Sequence, residues 1–216
     1  MRAALIAVPL AAFAIAAFAS TGRESGEPAP PSLVDNGTSI GMPGRETLTI
    51  AEAEEGRAAK LLPSGAKSLL RVEGQLRHGE YRWDDTGIGP GKLVIWIDLR
   101  SQIISAYRNG HEIGTSAVVY GAKDMETPLG RFPILSKQKD YHSRAYDAPM
   151  PYSLFITNTG VALHGSKMSA RHATHGCVGL PVDFARQLFA AAKTGDEVVI
   201  VRSDAAIVEK VARPKS

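Results

Sequence analysis

The sequence predicts a mainly β fold, a sandwich or barrel-like arrangement of sheets with one main helix. Three observations predict it. Short β-prone runs recur between turn signals. Only the stretch beginning at Pro181 carries a clear helical period. Residues 20–46, rich in Gly, Pro, Ser and Glu, offer little for a core to bury. With 216 residues, 44% hydrophobic and 22% charged, the chain has room for one ordinary domain plus appendages, and wholesale disorder is excluded.

The elements follow in order. Leu93–Ile97 (LVIWI) reads as a short apolar strand and Gln102–Arg108 as another. Asn109-Gly110 then leads into His111–Ile113, and two residues of this type between β-prone runs are a strong hairpin signal. Thr115–Tyr120 continues the strand. Thr127-Pro128-Leu129-Gly130 has Pro and Gly where a type I turn wants them, and Phe132–Leu135 follows as a strand. Tyr152–Thr157 and Val161–His164 are two more, joined through Asn158-Thr159-Gly160. Pro181 suits a first helical position and Asp183 complements the dipole. Ala185, Leu188, Phe189 and Ala192 then recur on one helical face. Lys193-Thr194-Gly195 supplies a cation and a capping glycine, and Glu197–Val201 returns as a buried strand.

Outside this region the chain divides by composition. Residues 1–19 open with Met1-Arg2, run apolar from Ala3, and end on the small-x-small pattern Ala17-Phe18-Ala19. That is the form of a signal peptide, with cleavage after Ala19 favoured over an uncleaved N-terminal anchor. The expected location is therefore outside the cytoplasm, in the periplasm or cell envelope. Residues 20–68 read as a flexible linker with a short helix within Thr47–Leu62. Residues 69–91 read as a β-rich lead-in, 92–202 as the main domain and 203–216 as a charged tail. A formal charge of +3 is too weak and too scattered to argue nucleic-acid binding. A monomer is expected.

The chain has one cysteine, which excludes an internal disulfide framework and a Cys-rich zinc site. An unpaired thiol in an exported chain is either buried and inert or kept for its reactivity. The local sequence decides. Thr174-His175-Gly176-Cys177 stands ahead of the predicted helix, and His164 closes a strand thirteen residues before the cysteine. A helix start and an imidazole each lower a thiol pKa, and Gly176 clears side-chain bulk so that backbone amides can face a substrate oxygen. This is the pattern of a Cys/His acyl-transfer site. His-before-Cys order disfavours a papain-like peptidase.

The other histidines read as surface groups: His78 and His111 in polar turns, and His142 and His172 nearer the motif, with substrate contact as the alternative for these two. A metal site from His164, His172 and His175 is discounted, since no carboxylate stands at ligand spacing. Trp83, Trp96, Tyr141 and Tyr146 read as core residues, with a glycan groove as the alternative.

Several landmarks then run together: LVIWIDLRSQIISAYRNG, TPLGRF, APMPYSLFITNTGVALHGS, and THGC leading into a Pro-started helix. From Lys92 to Val201 the chain resembles the catalytic domain of the L,D-transpeptidases, the YkuD-type enzymes of peptidoglycan cross-linking. The resemblance implies a YkuD-like fold with Cys177 as nucleophile and His164 as proton donor and acceptor. It implies that the Gly165 carbonyl, or that of Ser166, orients the His164 ring, and that His175 and Gly176 line the site, with amides from His175 to Cys177 as the oxyanion hole. Thr174, Ser166 and Arg171 are the implied substrate-binding residues. No metal and no organic cofactor are implied. The implied partners are peptidoglycan stem peptides, as donor and acceptor, and carbapenem-type inhibitors. The implied reaction is ping-pong, with D-Ala leaving a tetrapeptide stem and an amine of a second stem resolving the thioester. Two alternatives use other outcomes: an L,D-carboxypeptidase or murein–protein attachment and release enzyme with the same site, and an inactive murein-binding module. The joint presence of Cys177, His164, His175 and Gly176 disfavours the module.

The chain departs from the family at Gly179, where many members carry Arg or Asn. Glycine there means either a lost carboxylate contact or a backbone with positive φ, and the second is favoured because Gly179-Leu180-Pro181 must turn into the helix. The segment between His164 and Thr174 is also short; Lys167 and Arg171 in it read as solvated surface residues, with supply of the missing positive charge as the alternative.

Overall fold

The Asn109-Gly110 hairpin forms as expected. Strands β5 (Ile103–Arg108) and β6 (His111–Ala117) pair antiparallel with Arg108 opposite His111. Both turn residues have positive φ, 55° and 85°, as a type I′ turn requires. The computed structural model describes residues 42–121, 125–168 and 174–204. The expected signal peptide, the linker up to residue 41, Arg171, His172 and the tail beyond 204 lie outside the described residues.

The hairpin belongs to an eight-stranded sheet. Its order is β1 (Arg45–Thr47), β2 (Ser68–Leu70), β6, β5, β4 (Leu93–Asp98), β12 (Glu197–Val201) and β7 (Gly130–Pro133), with β3 (Tyr81–Trp83) paired to β6 beside β2. A four-stranded sheet runs β11 (Val178–Leu180), β10 (Ala162–Gly165), β9 (Ala148–Phe155) and β8 (Ser136–Ser143). The helices are α1 (Ile50–Ala58) and α2 (Val182–Ala191). The fold is mainly β, as predicted.

Burial explains the run LVIWI. Leu93, Ile95 and Ile97 point into the main core with Val198, Ile200, Leu163 and Phe184. Trp96 and Val199 point the other way, into a second cluster with Tyr107 and Ala66 that Leu48, Leu62 and Leu69 help cover. A strand buried on both faces reads as continuous hydrophobic sequence rather than alternation.

That second cluster corrects the expectation of a linker reaching residue 68. From Arg45 onward the segment is folded onto the sheet. Arg45 is only 4% exposed, and its guanidinium donates to the carbonyls of Glu112 and Asp84. The short helix expected here is α1, started by a capping box in which Thr49 accepts from the Glu52 amide at 3.2 Å and donates its own to Glu52 at 2.9 Å.

Four other expectations need correction. Residues 126–129 form no turn; Thr127 is buried and its hydroxyl accepts from the Gly121 amide at 3.0 Å. Helix α2 ends at Ala191, before Lys193–Gly195, and the cation at its C-terminus is Lys137 of β8, whose Nζ donates to the Phe189 and Ala192 carbonyls at 2.6 and 2.5 Å. Ser203 is buried and bonded to Asp98, so the folded chain runs past the point where a charged tail was expected. His111 opens a strand and shares a 2.9 Å hydrogen bond with Ser68 Oγ instead of lying in a solvated turn.

Candidate active site

The site is built on the parallel pairing of β10 with β11. Leu163 stands opposite Val178 and His164 opposite Gly179. Leu163 and Val178 are fully buried in the main core. Side chains alternate along a strand, so His164 and Gly179 take the opposite face. Cys177, two residues before Gly179, takes that face too. The core therefore directs the imidazole and the thiol to one side.

His164 is buried, and its Nδ1 lies 2.8 Å from the Gly165 carbonyl. A carbonyl only accepts, so Nδ1 carries the proton and Nε2 of the neutral ring is left as the basic nitrogen. The Cys177 thiol is half-buried and contacts the Gly160 carbonyl at 3.8 Å. Burial pushes its pKa above the ordinary value, with a backbone hydrogen bond at Ala162 opposing in part. The expectation of a thiol acidified by a helix start is thus corrected. Strand β11 follows the cysteine, and α2 begins only at Val182.

The segment from Thr174 to Cys177 is held on one side by residues 119–121. Val119 and Gly179 exchange backbone hydrogen bonds of 3.0 and 2.7 Å. The Thr174 amide donates to the Tyr120 carbonyl at 3.2 Å, and its hydroxyl donates to the Cys177 carbonyl. Gly176 has φ of 98°, a conformation that strains any residue with a Cβ. Gly121 permits a close approach: a Cβ there would lie 2.6 Å from the Gly176 nitrogen.

Gly179 has a different reason to be glycine from the favoured one. Its φ lies outside the positive range, but a Cβ would meet Val119 Cγ2 at 2.6 Å and Ser166 Cβ at 2.9 Å. Packing excludes a side chain, not backbone strain.

Cys177, His164, Gly165, Ser166, Thr174 and His175 line a single cleft of ≈ 510 Å³. Gly176 is buried and does not line it. Among the aromatics, Trp83 packs edge-on against Phe184 at 5.6 Å and Tyr141 against Phe155 at 5.0 Å, while Trp96 lies in the second cluster. Tyr146, from the β8–β9 turn, is the exception: it lines the cleft and stacks on His175 with centroids 4.3 Å apart. Val119, Gly121 and Thr127 are supporting residues that sequence reasoning missed. Thr127 stood in TPLGRF, which read as a turn and a family landmark but not as a support of the site, and nothing local marked Val119 or Gly121.

The family model for the L,D-transpeptidase catalytic domain (YkuD) matches residues 92–200. L,D-transpeptidase 1 of Mycobacterium tuberculosis is 26% identical over 133 residues, which cover 53% of this chain and 53% of that protein. The chain thus spans about half the length of the curated relatives it matches. A solved L,D-transpeptidase (Yku) from Stackebrandtia nassauensis superposes with a TM-score of 0.50 at 22% identity, covering 54% of this chain and 58% of that one. L,D-transpeptidase 3 from Mycobacterium tuberculosis, solved with a faropenem-derived adduct, gives 0.47 at 20% identity over 51% of this chain and 60% of that one. With the family model spanning half of its length and the β10–β11 site inside that span, this chain belongs to the L,D-transpeptidase (YkuD) family.

Proposed function

We propose that this protein is an exported L,D-transpeptidase that cross-links peptidoglycan through a thioester on Cys177. The observation that carries the reading is the β10–β11 register, which sets His164 and Cys177 on one face of one cleft. Residues 1–19 support export to the cell envelope.

Because burial raises the thiol pKa, Cys177 rests as the neutral thiol at pH 7. Nε2 of His164 takes the thiol proton as sulfur attacks the carbonyl joining the L-centre of the third-position diamino acid to D-Ala. The Gly165 carbonyl, fixed on Nδ1–H, stabilises the imidazolium that forms. The backbone amides of His175 and Cys177, the two residues of this turn that line the cleft, stabilise the developing oxyanion. The imidazolium returns its proton to the leaving amine, the C–N bond breaks, and D-Ala departs. His164 then takes a proton from the side-chain amine of a second stem, which attacks the thioester and frees the thiol. Donor and acceptor are both stem peptides. A carbapenem carbonyl is attacked in the same way and leaves an acyl-cysteine.

Purified protein with disaccharide-tetrapeptide tests this. The expected products are free D-Ala and a cross-linked dimer, with both lost in Cys177→Ala. Tripeptide with no dimer would replace the acceptor amine by water and make the protein a carboxypeptidase. Neither product would remove the reading.

A further inference from the structure

Beside the sheet edge that β2 and β3 share there is a second cleft, of ≈ 480 Å³, that the catalytic residues do not line. Its origin is topological. Strand β6 pairs with β2 at Ser68–His111 and with β3 from Gly114 to Ser116, so the two partners fork along one edge. The buried Arg45 guanidinium spans the fork, donating to the Glu112 carbonyl and to that of Asp84.

The lining is cationic and aromatic: Arg71, Arg82, Tyr81 and Trp83, with Asp84 at one side. Tyr81 and Trp83 are fixed by edge-on packing against Phe184 at 5.9 and 5.6 Å. Arg71 and Arg82 are exposed, and neither forms an ion pair among the described residues. Asp84 is held in its ionised form chiefly by the Thr86 amide at 3.0 Å, with Arg82 and Arg45 contributing. Two guanidinium groups against one carboxylate leave the notch with a net positive charge.

The notch connects to the catalytic cleft through packed residues. Val182, which lines that cleft, is two residues before Phe184, the ring against which Tyr81 and Trp83 pack. Just before β3, a Cβ on Gly79 would meet Met168 Cβ at 4.0 Å, next to the cleft residue Lys167.

We propose that this notch is a second binding site, taking a stem-peptide carboxylate of the same peptidoglycan strand whose reacting stem occupies the catalytic cleft. The proposal rests on the reading of the substrate as peptidoglycan. Planar, always-charged guanidinium groups match a carboxylate. Peptidoglycan repeats its carboxylates along a strand, so a site remote from the reacting bond adds affinity for the polymer and none for an isolated stem fragment.

The test is co-sedimentation of the full-length protein with purified sacculi. Arg71→Ala/Arg82→Ala is expected to lose about tenfold in apparent affinity, with the loss shrinking as salt rises from about 50 to about 300 mM. Arg71→Gln alone is expected to lose about threefold, which keeps the test valid if the double variant folds poorly. Carbapenem acylation of Cys177 should stay within about twofold of wild type, since neither arginine lines the catalytic cleft. Sacculi whose carboxyl groups have been amidated should bind the wild type no better than the double variant. Equal sedimentation of wild type and variants overturns the proposal, as does unchanged wild-type binding to amidated sacculi. Failure of the functional reading appears separately, as absent D-Ala release by wild type.

Discussion

Replacing Gly179 by alanine adds one methyl group at a position where the structure has no space for it. The new Cβ would lie 2.6 Å from Val119 Cγ2 and 2.9 Å from Ser166 Cβ, against about 3.5–4.0 Å for an ordinary carbon contact. About 1 Å of separation must therefore be found. Strand β11 cannot simply retreat from residue 119, because Val119 and Gly179 hold each other by backbone hydrogen bonds of 3.0 and 2.7 Å. Breaking both would cost about 2 kcal/mol, similar to the usual price of an overpacked site. For a folded unit of this size, that lowers Tm by about 4–8 °C. The movement also reaches the chemistry, since Gly179 is the register partner of His164 and an error of about 1 Å at a reacting pair can slow a reaction about a hundredfold. Gly179→Arg should behave at least as badly, so the arginine common in the family cannot be restored here by one substitution. Thermal melts and carbapenem acylation rates on the two variants check this. A Tm within about 1 °C of wild type together with an unchanged acylation rate would refute the packing argument.

Three further outcomes follow from the same geometry. His164→Ala should slow acylation by about two to four orders of magnitude, because both proton transfers run through Nε2; His175→Ala, which loses the stack on Tyr146 but no proton-transfer group, should cost less, and reversed losses would reverse the roles. Alkylation of Cys177 by iodoacetamide should be slow at pH 7 and rise with a midpoint above that of a free thiol, since burial favours the neutral form; a midpoint below the free-thiol value would contradict the neutral resting thiol. Glu112 is buried and its pKa is raised chiefly by that burial. A carboxyl raised in the folded state contributes stability below its unfolded value of about 4.3 and loses it as pH climbs through the folded one. Glu112→Gln, which keeps an oxygen for the Leu70 amide now bonded at 2.7 Å, should therefore gain Tm relative to wild type between pH 4 and pH 7, and a constant difference would argue against the shift.

What the sequence made legible has local causes. Asn109-Gly110 was readable because two consecutive positive φ angles admit few other residues. Helix α2 was readable because it buries Phe184, Ala185 and Leu188 along one stripe. Strand β8 was not, because SKQKDYHS lies at a sheet edge, mostly exposed, with no apolar period to mark it. Strand β11 is three residues between a glycine turn and a proline, and its pairing with β10 is a long-range event that no local pattern encodes. The docking of residues 45–70 was hidden for a similar reason. Its few apolar side chains are widely spaced, and the surface they cover is the outer face of β4, β5 and β12, visible only once the sheet is assembled. At the site, residue types were readable and their electrostatics were not. The identity of Cys177 and His164 survives in any order of the chain, whereas the direction of the thiol's pKa depends on what buries it.

The central claim is that Cys177 forms the covalent intermediate, and intact-protein mass spectrometry after incubation with a carbapenem tests it most directly. The account predicts one acyl adduct on the wild-type chain, mapped by proteolysis to the peptide containing Cys177, and none on Cys177→Ala with its fold unchanged by thermal melt. An adduct that persists in Cys177→Ala, or a well-folded wild type that takes up none, would contradict it.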